Sequence, residues 1–227
     1  MSYENITGFE SQEILVYGMG LSLFAISKTH YSYPPGKQCN YAGQSVRALP
    51  IRILTVGKKR SPGVQLIADE YMEKLKNYCS VQDIRLKSNP KNANLSSLRQ
   101  LPPNKCESSL VVHFTTIRDV MAQIEHEDIS VMSLVKSNEW VVMLDEHGAD
   151  VGSEQMATLI GDAGNTGASS IVFCIGGPYG HGRQLKERAD VSIKLSSLVL
   201  NHEVALVVLI EQLYRAWTIL KGQKYHH

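Results

Sequence analysis

The residues whose types could do chemistry lie in the last third of the chain, around a glycine-rich segment. The segment reads IGGPYGHG over residues 175–182 and follows the apolar run VFC. A glycine-rich turn after a buried strand leaves backbone N–H and C=O groups bare, so that a ligand can approach them closely. A tight turn between a strand and a helix, with no ligand, would have the same composition. The segment alone therefore leaves both interpretations open.

The spacing of these glycines differs from the common nucleotide-binding motifs. It does not match G-x-x-x-x-G-K-[ST], which argues against a nucleoside triphosphate. It does not match G-x-G-x-x-G either, and its place near the end of the chain also argues against a dinucleotide. The chain ends in His226 and His227, but no carboxylate or cysteine pattern accompanies them. We therefore predict no metal site.

A histidine and an arginine on the C-terminal helix pattern are the next candidates. His202 opens the long apolar stretch 202–222, with Asn201 before it as a good N-cap. Histidine has an unperturbed pKa of about 6.5, which suits proton transfer near neutral pH. His202 could equally cap or brace the helix. Arg215 could bind phosphate, or it could pair with Glu211 four residues earlier.

Several segments resemble one family when they are taken together. They are LSSLVLNHEVALVVLIEQLYRAW, VVMLDEHG, IGGPYGHG and the ending KGQKYHH. In combination they resemble the ribosomal RNA large subunit methyltransferase H family, a bacterial-type group of SPOUT methyltransferases that also has plant homologues. The resemblance covers about residues 51–227 and is strongest over 140–227. It implies an α/β fold with a parallel sheet flanked by helices and a C-terminal trefoil knot, an exception to the rule against threaded chains.

The resemblance also implies a cofactor, S-adenosylmethionine, held by three loops at the carboxyl ends of parallel strands. Glycines in these loops would let backbone groups reach the adenine and the ribose, and aliphatic side chains would line the adenine. The matching positions in this sequence are Leu144, Gly176, Gly177, Gly180, Leu195, Ser196, Ser197, Leu198, Val199 and Leu200. Bacterial members usually carry an acidic or small polar residue where Tyr179 stands, and proline where Asn201 stands.

The implied reaction moves a methyl group to N3 of a pseudouridine in large-subunit rRNA of the assembled ribosome. Such a transfer needs in-line alignment and a group that accepts the N3 proton, for which His202 is the candidate. Arg215, Tyr225 and His226 are the other candidate catalytic residues, because phosphate must be bound and an unstacked base needs an aromatic partner. A homodimer is expected, in which one subunit's tail completes the other's RNA site. The alternatives are a non-catalytic ribosome- or RNA-binding protein that retains the knotted fold and a methyltransferase that acts on some other RNA.

The predicted elements that position these residues alternate between strands and helices. Strands are expected at 51–57, 81–86, 140–145, 169–175 and 191–195, and helices after Ser61-Pro62 and at 118–136, 153–163, 180–190 and 202–222. The strands are apolar on both faces, which indicates a parallel sheet covered on both sides. Ser61 and Ser153 are the expected N-caps of the first and third of these helices.

Two regions fall outside this alternation. Residues 1–50 show no sustained period and are predicted to be a poorly ordered extension, followed by a methyltransferase domain over 51–227. Residues 94–117 hold a Pro-Pro pair and are predicted to be an inserted, poorly ordered loop. The bacterial-type resemblance implies a chloroplast or mitochondrial protein, or otherwise a cytoplasmic one, although the N-terminal residues are acidic.

Composition narrows the possible partners. The formal net charge is +1, so RNA contacts must come from local basic clusters such as Lys58, Lys59 and Arg60, which could also be a solvated turn. No run is long enough to span a membrane, because the apolar stretch from Ile14 is about 14 residues. The four cysteines form no C-x-x-C pair, which predicts reduced thiols, with Cys174 in the core.

Overall fold

The computed structural model of the protein describes residues 38–88 and 108–223. Within these ranges the chain forms five strands and five helices that alternate in the predicted order. They are β1 (Ile51–Gly57), α1 (Pro62–Leu75), β2 (Val81–Lys87), α2 (Ser108–Met132), β3 (Trp140–Asp150), α3 (Ser153–Asn165), β4 (Ile171–Ile175), α4 (Arg183–Arg188), β5 (Val191–Lys194) and α5 (His202–Leu220).

The five strands form one sheet in the order β2-β1-β4-β3-β5, and every pair is parallel. All carboxyl ends therefore lie at one edge of the sheet. Strand β4 is central, since Ile171 pairs with Ile51 of β1 on one side and with Trp140 of β3 on the other. The glycine-rich segment consequently leaves the sheet at the middle of its carboxyl edge. This arrangement confirms the predicted parallel α/β sheet flanked by helices, whereas the trefoil knot stays a prediction.

Helices cover both faces of the sheet, as the two-sided apolar strands predict. Ile53 and Phe173 point into a core formed with α1, α3 and α5, and both are fully buried. Leu54 and Cys174 point to the other face, against α2 and α4. Burial raises the pKa of the Cys174 thiol to about 12, so this thiol is an inert core group, as the sequence predicts.

Local signals set most element boundaries. Ser61 caps α1 by accepting a hydrogen bond from the Val64 N–H at 3.4 Å, and Asn201 caps α5 through the Glu203 N–H at 2.9 Å, which confirms both predicted caps. The N-cap of α3 is Gly152 and not Ser153. This prediction was wrong because the helix already begins at Ser153, and the Gln155 side chain accepts a hydrogen bond of 3.0 Å from the N–H of Gly152, the residue before it.

Strand β3 is longer than predicted and ends at Asp150 instead of 145. The pairing of β3 with β5 breaks at a register shift between Leu144 and Ala149 and then resumes. Both Leu144 and Ala149 pair with Ile193, so the four residues between them form an irregular section of the strand, which the predicted end at 145 did not anticipate.

The structure differs from the predicted domain limits at two places. Leu49 is only 1% exposed, and the Tyr41 hydroxyl donates a hydrogen bond of 2.7 Å to Asp162, so this part of the predicted extension packs on the domain. Residues 108–117, predicted to be part of an inserted loop, belong to α2. The remaining residues of both segments lie outside the described ranges, and their disorder stays a prediction.

A buried ion pair joins β1 to the start of β3. The Arg52 guanidinium contacts both carboxylate oxygens of Glu139, at 2.6 and 2.8 Å, and Glu139 also accepts hydrogen bonds from the Lys136 N–H and the Ser170 hydroxyl. Burial alone would raise the pKa of Glu139, but these donors together hold it below the ordinary value.

We expect Glu139→Gln to lower the free energy of unfolding by about 3 kcal/mol at neutral pH, because Arg52 would stay buried without its counter-charge. Since the pKa of Glu139 is lowered by folding, its contribution is complete above a pH of about 4.3 and is lost as the pH falls further. Urea titrations at pH 7 and pH 4 measure both effects, and the difference between variant and wild type should shrink at pH 4. Glu73→Gln, which removes an exposed pair with Lys76, is the control and should change stability by less than about 1 kcal/mol.

Candidate active site

A cleft of about 690 Å³ opens at the carboxyl edge of the sheet. Its walls are the part of β3 at the register shift and the loops that follow β4 and β5, and the first turn of α5 closes one end. The lining residues are 144–147, 175–181, 193–196, 198–202, Lys186 and Ala205. This volume is in the range of sites that hold small molecules, so the glycine-rich segment borders a cleft with room for a ligand.

The structure brings nearly all the predicted cofactor residues to this cleft. Nine of the ten line it, and Ser197 lies in the same loop without lining it. Leu198 and Val199 are 74% and 80% exposed, which is unusual for aliphatic side chains of a folded domain and leaves them available to an apolar ligand group. The roles of these residues stay predictions.

The glycine-rich segment turns sharply on itself. The Gly180 N–H donates a hydrogen bond of 3.1 Å to the Gly177 carbonyl, and Gly180 has a φ of +79°, which favours glycine. A Cβ on Gly176 would lie 3.0 Å from the Gly180 carbonyl group. The turn therefore requires small residues at both of its ends.

His202 lines the cleft at the first position of α5. Its imidazole packs on the end of β1, where a Cβ on Gly57 would come within 2.9 Å of the His202 Cδ2 and Nε2 atoms. The helix cap is supplied by Asn201, so capping is not the role of the His202 side chain. Its ring makes no hydrogen bond with the described part of the chain, which leaves the nitrogens available at the cleft.

The structure does not bring Arg215 to the cleft. Arg215 lies thirteen residues after His202 on the same helix, a separation of about 20 Å along the axis. Its guanidinium pairs with Glu211 at 2.7 and 3.1 Å, which is the structural role that the sequence left open. Tyr225 and His226 lie outside the described residues.

The three basic residues that follow β1 differ in their exposure to solvent. Lys58 and Lys59 are exposed, whereas Arg60 is only 7% exposed and forms a two-bond ion pair with Asp83. Arg60 also lies near the Thr55 hydroxyl, at 3.5 Å. Lys58 and Lys59 are therefore available to a ligand. Arg60 instead joins the segment after β1 to strand β2 through Asp83.

His181 is a site residue to which the sequence analysis gave no role. Its side chain is buried, and its Nε2–H donates a hydrogen bond of 2.8 Å to the Leu144 carbonyl at the end of β3. Burial lowers the pKa of His181, which keeps the ring neutral. This contact joins the glycine-rich turn to the neighbouring cofactor loop. The only sequence signal was a histidine placed inside an otherwise bare turn.

Two acidic residues of α2 contact the glycine-rich turn and the start of α4, and the sequence analysis did not identify them. Both Asp128 oxygens accept hydrogen bonds from the start of α4, from the Gln184 N–H at 2.7 Å and the Leu185 N–H at 3.0 Å. The neighbouring Glu127 is buried, and its Oε2 would lie 2.7 Å from a Cβ on Gly177. No local pattern relates α2 to a turn some 50 residues later, so only the tertiary structure shows this support.

Charged groups of both signs surround the cleft. Burial would raise the pKa of Asp145, but hydrogen bonds from the His147 N–H at 2.9 Å and from the His147 ring at 3.2 Å hold it below its usual value. The Lys194 ammonium pairs with Asp150 at 3.1 Å. Lys186 is exposed at the rim. The cleft thus offers carboxylates and ammonium groups around an aliphatic and glycine-lined interior.

We expect His181→Phe to lower the free energy of unfolding by about 1–3 kcal/mol, because the Leu144 carbonyl would lose its donor in a buried place. His181→Gln keeps an N–H donor and should recover part of the loss. Urea unfolding measures the stability of both variants. Equal stability of wild type and the phenylalanine variant would contradict the assigned contact.

Within the described ranges, no helix is long and apolar enough to cross a bilayer. In the same ranges, no three His, Cys, Asp or Glu residues are gathered as a metal ion would need. Cys39, Cys79 and Cys174 are buried free thiols.

The fold and the cleft together define a class: an α/β protein with a cleft at the carboxyl edge of a parallel sheet, the place where such sheets commonly bind ligands. A family model described as predicted SPOUT methyltransferase matches residues 49–226. The chain belongs to the SPOUT methyltransferase family, and it is a methyltransferase by this membership.

Individual relatives agree with this assignment. The chain is 52% identical over 217 residues to "Putative RNA methyltransferase At5g10620" of Arabidopsis thaliana, an alignment that covers 91% of this chain and 100% of that protein. It is 31% identical over 176 residues to ribosomal RNA large subunit methyltransferase H of Clostridium novyi, covering 78% of this chain and 98% of the relative. The enzyme of the same name from Christiangramia forsetii is 30% identical over 179 residues, with 79% and 99% covered.

Proposed function

We propose that the protein transfers the methyl group of S-adenosylmethionine to large-subunit rRNA, at N3 of a pseudouridine. The observation that carries this proposal is the joint lining of one cleft by nine predicted cofactor residues and His202. The names of the bacterial relatives support large-subunit rRNA as the substrate. The pseudouridine is proposed on the family resemblance.

The residues of the cleft fit S-adenosylmethionine. The aliphatic side chains of Leu195, Leu198 and Leu200 suit the adenine ring, and the bare backbone at Gly176 and Gly177 suits the close approach of a ribose. The carboxylates of Asp145 and Glu146 suit an ammonium group. The cofactor would supply an electrophilic methyl group when bound. The residues of the cleft would hold this group in position and exclude water.

The proposed role of His202 is to accept the proton from the target nitrogen. Its ring packs against Gly57, and the residue lines the cleft, so the imidazole is held in place at the edge of the proposed cofactor site. A histidine suits this task near neutral pH. Proton transfer of this kind contributes about 10²–10⁴-fold to a rate.

We also propose that the protein works as a homodimer in the chloroplast or the mitochondrion. Exposed aliphatic residues occur in the first two turns of both α1 and α5, namely Leu66 at 71%, Ile67 at 42% and Val204 at 47% exposure. The Ser61 N–H donates to Glu203 at 3.3 Å, so these two helix ends adjoin. An apolar surface of this kind suits a second copy, whose tail would supply Tyr225 and His226. Organellar ribosomes are of the bacterial type, which supports the proposed compartment.

The direct test is transfer of a radioactive methyl group from S-adenosylmethionine to isolated bacterial ribosomes, followed by mass spectrometry of the digested rRNA. The proposal expects one methylated pseudouridine in the large-subunit rRNA. Methylation of a different base would correct the substrate. Cofactor binding without any transfer to ribosomes or free rRNA would favour a non-catalytic RNA-binding protein.

A further inference from the structure

Tyr179 is a large aromatic side chain at the tip of the glycine-rich turn. It lines the cleft and is 49% exposed. Its hydroxyl forms no hydrogen bond to the residues that the structure describes, and its ring packs in neither hydrophobic core cluster. The folded domain therefore gains little from an aromatic ring at this position.

The turn that carries Tyr179 is held in one conformation. Pro178 fixes the backbone before it, and the hydrogen bond from Gly180 to Gly177 closes the turn around it. His181, directly after the turn, is anchored to the Leu144 carbonyl at 2.8 Å. A ring presented on a fixed turn loses little conformational entropy when a ligand stacks on it.

The surroundings of Tyr179 suit a nucleotide. Val199 is exposed in the loop after β5, which forms another wall of the cleft, and Lys186 is exposed at the rim. A nucleic-acid base can stack on an aromatic ring, and an ammonium group can bind a phosphate. Leu195, Leu198 and Leu200 line the cleft and are proposed to contact the cofactor, which leaves Tyr179 and Val199 for a second ligand.

We propose that Tyr179 is a stacking residue for a base of the single-stranded RNA substrate, at or next to the methylated nucleotide. This inference rests on the proposed function. Base stacking on an aromatic side chain contributes about 5- to 150-fold to RNA affinity. Tyr179 therefore acts on RNA binding and leaves the affinity for S-adenosylmethionine unchanged.

The first experiment uses kinetics with bacterial ribosomes as substrate. Tyr179→Ala should raise the KM for ribosomes by about 5- to 150-fold, whereas Tyr179→Phe keeps the aromatic face and should behave as the wild type. The dissociation constant of S-adenosylmethionine, measured by calorimetry, should be the same in all three proteins. An alanine variant with the wild-type KM would overturn the proposal.

The second experiment reads stacking directly. The chain has two tryptophans, and both are buried, Trp140 at 6% and Trp217 at 0% exposure, so Tyr179→Trp adds a solvent-exposed fluorophore at the turn. Single-stranded oligouridine RNA should quench this fluorescence in a saturable way. Met121→Trp is the control, because Met121 is 64% exposed on α2 and does not line the cleft. Equal quenching at both positions, or none at the turn, would overturn the proposal.

Different results would overturn the role of Tyr179 and the proposed function. If Tyr179 has no part in RNA binding, the wild-type protein still binds S-adenosylmethionine and still methylates ribosomes. If the wild type neither binds this cofactor nor methylates ribosomes, the proposed function is wrong, and the assignment of Tyr179 falls with it.

Discussion

Replacing His202 by asparagine is expected to lower the turnover number by about 10²–10⁴-fold, the usual contribution of a positioned proton acceptor. His202 lines the cleft, and its imidazole packs against Gly57. Because Asn201 caps the helix, the His202 side chain is not needed for capping. Asparagine is smaller and does not accept a proton at neutral pH. The affinity for S-adenosylmethionine should change little, since the proposed cofactor contacts are made by other residues of the cleft.

Single-turnover methylation of ribosomes at saturating cofactor measures this effect apart from binding. His126→Asn is the matched control, because His126 is exposed on α2 and does not line the cleft, and its turnover should equal that of the wild type. Wild-type turnover in the His202 variant would show that His202 only braces the end of β1 and α5.

Replacing Gly148 by alanine is expected to lower the free energy of unfolding by about 3 kcal/mol, at the upper end for an overpacked position. A Cβ on Gly148 would lie 2.4–2.7 Å from three backbone atoms of Ile193. Backbone atoms in a paired strand cannot move aside as a flexible side chain can. The added carbon would push β5 away from β3, and the loop 195–200 that follows β5 would move with it.

Urea unfolding measures the loss of stability in the Gly148 variant, and calorimetry measures the expected loss of affinity for S-adenosylmethionine. Gly63→Ala is the control, because a Cβ on Gly63 of α1 would meet no atom within 4 Å. Alanine has the better helix propensity, so this control should be as stable as the wild type or slightly more stable. Wild-type stability in both variants would contradict the close β3–β5 contact.

The sequence predicted the sheet well, because its strands are continuous apolar runs that end in strong local signals. Ser61 and Asn201 precede clear helical patterns, and both cap their helices as expected. The extension of β3 beyond 145 was missed because the residues that continue it are polar, and only pairing with β5 makes them a strand. Residues 38–50 have no period of their own, and Leu49 is buried through tertiary contacts alone.

For the candidate site, too, the sequence predicted some features and missed others. The lining residues of the cleft follow strands in the chain, so their common location follows from a parallel sheet, in which all carboxyl ends share one edge. Asp128 and Glu127 support the glycine-rich turn from a helix distant in sequence, and no spacing rule relates them to it. For Arg215, the sequence allowed a phosphate contact or a pair with Glu211, and only the coordinates show the pair and the distance from the cleft.

Calorimetric titration of the full chain with S-adenosylmethionine tests the central claim most directly, since the cleft is assigned as a cofactor site. The account predicts saturable binding of one cofactor per chain, with a free energy of at least about 5.5 kcal/mol, which corresponds to a dissociation constant below about 0.1 mM. Leu198→Asp, which places a carboxylate in the aliphatic wall, should weaken this binding. The absence of binding by the wild-type protein, with its fold verified by circular dichroism, would contradict the account.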